Sequence, residues 1–232
     1  MNRFYRYELR TTDVEAGGTF YRDLFGAEFW SAGLDDVPLP PRAAAAGAPS
    51  NWVGHIGVHD VVGMMLRFLD CGAKPLGPMP QGNDATWAFL RDPFGAVVAL
   101  SSNTSAPEVE RVAWHLLSAR DETQAFAVYS ALFGWVALET HDLGMPRGRH
   151  VTFAWDRAER PVGSASDVAR LPHVHPQWLF FFRTEHLGAS LAQVRQLGGL
   201  TQPPTETATG DLVAACDDPQ GAAFGLYEMA RR

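Results

Sequence analysis

Arg6 and Glu8 stand two residues apart in Tyr5-Arg-Tyr-Glu-Leu9, and His55 lies in Gly54-His-Ile-Gly57. On an extended strand, residues i and i+2 share a face, so Arg6 and Glu8 project together. A guanidinium there can hold a carboxylate or phosphate, and Glu8 or His55 can move a proton. The plainer alternative is an Arg6–Glu8 ion pair with His55 hydrogen-bonded nearby. A second group is largely apolar. Trp114 and Leu116 alternate on one strand, Phe181 and Arg183 on another, and the small residues Ala223 and Gly225 on a third. Aromatic walls around small residues leave room for an apolar ligand, unless the rings simply fill the space as core.

Other groups carry less chemistry. His173-Val-His175 and Glu139-Thr-His141, with Asp142 adjacent, also have the two-residue period of a strand. A solvated loop is expected for the first, which precedes Pro176, and a surface pair for the second. His115 neighbours Trp114 and faces the other way, as packing. Gly54-His-Ile-Gly57 lies inside a strand pattern rather than before a helix, so it is no phosphate loop. There is no Gly-x-Ser-x-Gly nucleophile motif, and Cys71 and Cys216 lie near no His in sequence. Their spacing forms no pattern, and both are read as reduced.

The net charge is −7 with no Lys/Arg-rich block, so nothing points to nucleic acid or an anionic membrane. The run Trp178-Leu-Phe-Phe-Phe182 is far shorter than the roughly 18–20 residues of a membrane helix. The N-terminal residues lack the apolar stretch of a signal peptide, and a cytoplasmic protein is expected.

The elements that must position these residues occur twice. Asp13…Phe20-Tyr21…Leu24-Phe25-Gly26 is matched by Asp121…Val128-Tyr129…Leu132-Phe133-Gly134, always 108 residues later. Trp52-x-x-His55 is matched by Trp178-x-x-Phe181, and Asp92-Pro-x-Gly-Ala by Asp218-Pro-x-Gly-Ala, both 126 residues later. The chain is a tandem duplication, with domains expected at 1–105 and 109–232 and a linker near Ser101–Pro107. The offset grows by 18 residues, about the length of a β-hairpin, between Gly26 and Trp52 or their counterparts. The second copy offers three strands there (Val136–Thr140, His150–Trp155, Val162–Ser164), so the first copy has lost a hairpin. A shortened sheet leaves an edge to cover or pair, which mildly favours a homodimer.

Within each copy a finer unit recurs: a short strand, an Asp or equivalent polar residue, a helix, then Gly. Tyr5–Leu9 precedes Asp13 and the helical apolar positions Ala16, Phe20, Leu24 and Phe25. Val53–Val58 precedes Asp60 and a helix over Val61–Leu69. Trp114–Leu117 precedes a helix from Asp121 to Leu132, with Asp121 as N-cap. Leu179–Phe182 precedes a helix to Leu197. The fold class is α+β, with four strand–helix–strands units in two domains.

These tandem βαβββ units, with strand-Asp…Phe-Tyr…Leu-Phe-Gly, Gly-His-Ile-Gly-Val-x-Asp-Val and Asp-Pro-x-Gly-Ala-x-x-x-Leu, resemble the vicinal oxygen chelate superfamily. That superfamily includes glyoxalase I, fosfomycin- and bleomycin-resistance proteins and extradiol dioxygenases. The resemblance implies one divalent metal in a cup of strands, held by His from first strands and Glu from last strands. Mapped onto this chain, the first-strand slots are Arg6, His55, Trp114 and Phe181, and the last-strand slots are Ala99 and Gly225. The remaining last-strand slots fall near Pro161–Ser164 and in the shortened region, with no carboxylate in register. Only His55 is of a ligand type, and Arg6 repels a cation. Glu228, three residues beyond Gly225, points to the opposite face. The expectation is therefore a binding protein for a small apolar or aromatic molecule, with no metal cofactor. The alternatives are an enzyme, with displaced metal ligands or metal-free acid/base chemistry at Arg6, Glu8 and His55, and a protein-interaction module with vestigial clefts.

Overall fold

The computed structural model describes residues 2–31, 33–78, 86–102, 109–157, 160–207 and 209–230. Most of the expected linker, Ser101–Pro107, lies outside them. The first copy contains β1 (Phe4–Thr11), α1 (Val14–Phe25), β2 (Leu34–Pro38), α2 (Pro41–Ala45) and β3 (Asn51–Gly57). It continues through α3 (Val61–Asp70), β4 (Lys74–Pro75), β5 (Trp87–Arg91) and β6 (Val97–Ser101). The second copy opens with β7 (Val112–Ser118), α4 (Glu122–Phe133), β8 (Val136–Asp142), β9 (Arg149–Ala154) and β10 (Gly163–Ser166). It closes with β11 (Gln177–Arg183), α5 (Leu187–Gln196), β12 (Leu200–Thr201), β13 (Thr205–Glu206), β14 (Leu212–Asp217) and β15 (Ala223–Glu228).

Each copy makes one sheet. The first is ordered β2-β1-β3-β6-β5-β4, the second β8-β9-β10-β7-β11-β15-β14-β12, with β13 paired to β14. Aligning the two orders puts β2 with β10 and β6 with β15. The second sheet then has the β8–β9 hairpin in excess, which is the segment missing from copy one. In the shortened interval of the first copy a 3₁₀ turn forms at Ala27–Phe29, and α2 occupies the Ala-rich stretch.

Three of the five helices among the described residues enter by one rule, and α2, which follows Pro40, and α5 do not. Asp13, Asp60 and Asp121 each accept a hydrogen bond from the backbone N–H three residues on, satisfying a donor that the first helical turn leaves unpaired. Before α5 the position is His186, whose side chain makes no cap bond. There Glu228 Oε2 reaches in from β15 and accepts the Leu187 N–H at 2.5 Å. That contact fixes what Glu228 does.

The sheets follow the two sequence copies, but the compact units do not. One unit consists of Met1–Tyr5, Gly54–Glu108 and His115–Trp178, the other of Arg6–Val53, Val109–Trp114 and Leu179–Arg232. In the first, α3 packs with α4; in the second, α1 packs with α5. Each unit is built on the same buried relay. In the first unit Asp92 Oδ1 accepts the Phe94 and Ala96 N–H groups at 2.9 Å, fixing the Asp-Pro-x-Gly turn. Gly95 gives that turn the positive φ of 110° that a side chain resists. Asp92 Oδ2 accepts the Tyr129 hydroxyl at 2.9 Å, and Trp178 Nε1 donates to that hydroxyl at 2.9 Å. In the second unit the corresponding bonds are Tyr21 to Asp218 at 3.3 Å and Trp52 to Tyr21 at 2.8 Å. Asp218 Oδ1 likewise accepts Gln220 and Ala222.

These relays sit among packed rings: Phe4, Trp135 and Phe153 in the first unit, Phe29, Phe182 and Phe224 in the second. Burial raises the carboxyl pKa of both Asp92 and Asp218 and holds both tyrosine hydroxyls protonated.

Two outcomes follow from the relay. Tyr129→Phe removes a donor to a buried carboxylate and an acceptor for a buried indole, and urea unfolding should register a loss of about 1–3 kcal/mol. The raised pKa of Asp92 means that the native state holds a proton the unfolded chain has already released. Its contribution is present below the ordinary value of 3.8 and is lost as pH rises through the raised one. Asp92→Asn, compared with the parent from about pH 4 to about pH 7, should therefore flatten the fall of stability with rising pH.

Candidate functional site

Strand register places the slot residues. In the first unit His55 of β3 lies opposite Ala99 of β6, and Ala99 lies opposite Phe89 of β5. One step along, Gly57, Ser101 and Trp87 form a second row across the same three strands. Strands two apart in a sheet are separated by about 9–10 Å, yet the His55 and Phe89 rings meet edge to face with centroids 5.5 Å apart. Only a side chain as small as Ala99 beneath them permits that approach. His55 is 2% exposed, and its Nδ1 lies 2.8 Å from the Ser101 hydroxyl. Trp87, 59% exposed, packs edge-on against Phe89 with centroids 5.3 Å apart.

In the second unit Phe181 of β11 lies opposite Gly225 of β15. A Cβ at Gly225 would meet the Phe181 ring at 2.1 Å, so the ring occupies the volume a side chain there would need. The small residue therefore does not hold open a floor, as the sequence suggested; it admits Phe181. Trp114 stacks on Tyr227 with centroids 6.3 Å apart, and Arg183 is in register with Tyr227. Burial, then the hydrogen bond to Asp211, keeps the Tyr227 hydroxyl protonated. Arg183 is committed to the Glu110 carbonyl at 2.7 Å and the Met229 sulfur at 3.1 Å. Ala223 is half-buried opposite Asp217. Leu116 belongs to the other unit, where it is half-buried opposite Ser164.

Arg6 and Glu8 also lie in the second unit, whereas His55 lies in the first. Glu8, 6% exposed, accepts Arg10 Nε at 2.7 Å and pairs with Arg6 at 3.6 Å; Arg6 Nε bonds Asp35 at 2.7 Å. The expected Arg6–Glu8 pair is thus part of a chain of four charges. Arg10 was missed, although it shares the strand face at i+2 from Glu8. Tyr7 is opposite Leu34, which sets Arg6 against Gly33, and Gly163 is opposite His115. No carboxylate stands in these two registers. Asp35 and Asp36 follow on β2, where Asp35 is engaged by Arg6.

Of the other histidines singled out in the sequence, His115 and His141 have structural partners. His115 is buried, stacks on Phe4 at 5.3 Å and bonds the Val162 carbonyl through Nδ1. Burial pushes its pKa down to about 4. His141 pairs with Glu139 on the surface at 3.3 Å, and His173 and His175 are exposed in a loop. Cys71 is exposed, Cys216 is buried, and both are free thiols.

The superfamily's divalent metal needs several N or O donors converging at about 2.0–2.2 Å. The slot residues do not fit that requirement. In the second unit they are Arg6, Trp114, Phe181 and Gly225; in the first His55 is opposed by Ala99. Among the described residues no group of three or more His, Cys, Asp or Glu converges as a metal would require.

No family model matches the chain. CFP32 of Mycobacterium tuberculosis, which carries a glyoxylase name, is 28% identical over 253 residues, covering 96% of this chain and 93% of that protein. The anthracycline biosynthesis protein DauV of Streptomyces sp. is 28% identical over 263 residues, covering 96% of this chain and 92% of that protein. Among solved structures, the 2,3-dioxygenase LapB from Pseudomonas sp. KL28 matches with a TM-score of 0.61 at 12% identity, over 99% of this chain and 92% of that one. A variant of homoprotocatechuate 2,3-dioxygenase from B. fuscum matches with a TM-score of 0.64 at 12% identity, over 99% of this chain and 72% of that one. The doubled motifs, the strand order and these relatives agree: the chain has the fold of these dioxygenases and is similar in sequence to the glyoxylase-named protein and to DauV, consistent with the vicinal oxygen chelate superfamily.

Proposed function

We propose that this protein binds a small apolar or aromatic molecule without a metal, by sequestration or sensing. The observation that carries the reading is that aromatic rings pack against the slot positions. Phe89 closes with His55 over Ala99, and Phe181 fills the space beside Gly225. The same packing supplies ligand surface. Trp87 presents an exposed ring backed by Phe89, with Ser101 and Gly57 in its row. Trp114 and Tyr227 offer a stacked pair beside Arg183. Aromatic faces with a few polar groups at the edge suit planar apolar ligands.

A second reading, an enzyme, is supported by Glu8. A carboxylate this buried is costly to desolvate unless paired, and it holds two guanidiniums, Arg6 and Arg10, that suit an anionic substrate. His55 is not assigned a role beside them. An interaction module with vestigial clefts remains the third reading, for which no contact in the molecule argues.

Elemental analysis of the purified chain after dialysis should find no stoichiometric divalent metal; one metal per chain would overturn the binding reading as stated. Titration with a panel of planar aromatic compounds should change the tryptophan fluorescence, and Trp87→Phe should remove most of that change. Silence across the panel would count against the aromatic sites. Gly225→Ala should destabilise by about 1–3 kcal/mol through overpacking. Adding Phe181→Ala should recover part of that loss, because the two side chains compete for one volume.

A further inference from the structure

We propose that the loop after the second 3₁₀ turn, Asp167–Arg170, forms a binding site for a small phosphate-bearing molecule, with Arg120, Arg170, His173 and His175 as its polar wall. These residues line an open surface depression with about 410 Å³ of accessible space, together with Ala169, Leu171, Pro172 and Val174. The lining therefore holds two guanidiniums and two imidazoles, and no carboxylate. The volume exceeds what a bare oxyanion fills, and the apolar residues suit a few carbons attached to it.

Three further observations support the site. Arg170 is oriented rather than loose: its Nε donates to the Arg120 carbonyl at 2.6 Å, and its Nη1 lies 3.3 Å from Asp167 Oδ2. The fork that recognises phosphate is thus held in place, with Nη2 bonded to nothing else among the described residues. The nearby carboxylates are engaged elsewhere as well. Asp167 Oδ1 accepts the Arg149 N–H at 2.7 Å, Asp121 caps α4, and Glu122 pairs with Arg149 at 3.3 Å. Asp167 still offsets part of the Arg170 charge, which leaves Arg120 as the guanidinium with no ion pair among the described residues.

The third observation is backbone strain. Leu171-Pro-His-Val174 is a turn closed by Val174 N–H to the Leu171 carbonyl at 3.3 Å. His173, its second central residue, has φ of 71°, the sole positive φ at a non-Gly residue among the described residues. Glycine takes that position in a Pro-led turn without strain. A histidine held there lines the depression at a conformational penalty, the pattern found where a side chain is needed.

The test is calorimetric titration of the full chain with inorganic phosphate at low ionic strength, with acetate as the comparison anion. Saturable phosphate binding, weakened about tenfold by Arg120→Ala and by His173→Gly, is the expected result. His173→Gly should also raise the thermal midpoint by a few °C, about 2–4 °C per kcal/mol of relieved strain in a chain this long, so weaker binding cannot be put down to unfolding. The proposal is overturned if phosphate gives no saturable signal. It is equally overturned if acetate binds as tightly as phosphate, or if both variants bind phosphate like the parent.

Discussion

A carboxylate buried at the head of a β-hairpin is the constraint around which this molecule is arranged. Asp92 and Asp218 each use one oxygen to close their own turn and the other to receive a tyrosine hydroxyl. That hydroxyl in turn accepts an indole N–H. Each group would be expensive to bury alone, and together each completes the hydrogen bonding of the next. The aromatic cores pack around these relays, so their geometry passes directly into the positions of β5, β6, β14 and β15. Two of those strands, β6 and β15, carry the last-strand slot residues Ala99 and Gly225.

Most of the fold was legible because it rests on local chemistry. The Asp caps, the Gly stops, the alternating strands and the doubled Asp-Pro-x-Gly turns all signal within a few residues of themselves. The missing hairpin was legible as an 18-residue change in the repeat offset. What the duplication could not announce was how its residues would be shared. Tyr21, Trp52 and Asp218 recur at fixed spacing with Tyr129, Trp178 and Asp92, yet the bond between Tyr and Asp crosses from one copy to the other. Sequence spacing marks such residues as repeated without saying which copy each one meets.

The candidate site was legible at its residues and not at its packing. Ala99 and Gly225 lie on β6 and β15, opposite His55 and Phe181. Reading a small residue as empty space was the misstep, because the space belonged to a neighbour on another strand. Phe89 and Trp87 enter only through cross-strand register, which no single stretch of sequence states. Glu228 is similar: its distance from Gly225 tells which face it takes, but its task of capping α5 depends on His186 some 40 residues away.

The relay also has a consequence for how this duplicated chain can change over generations. Because the Asp of each half is bound by the Tyr of the other, neither half holds a complete set of its own stabilising groups. The two halves behave as a dimer whose subunits happen to be joined, and each has become the template for the other. Substitutions in one hairpin are therefore judged by a helix encoded more than a hundred bases away in the opposite repeat. Such mutual dependence ties the scaffold of each half to the other, while the inward strand faces, where Ala99 and Gly225 lie against aromatic rings, take no part in it.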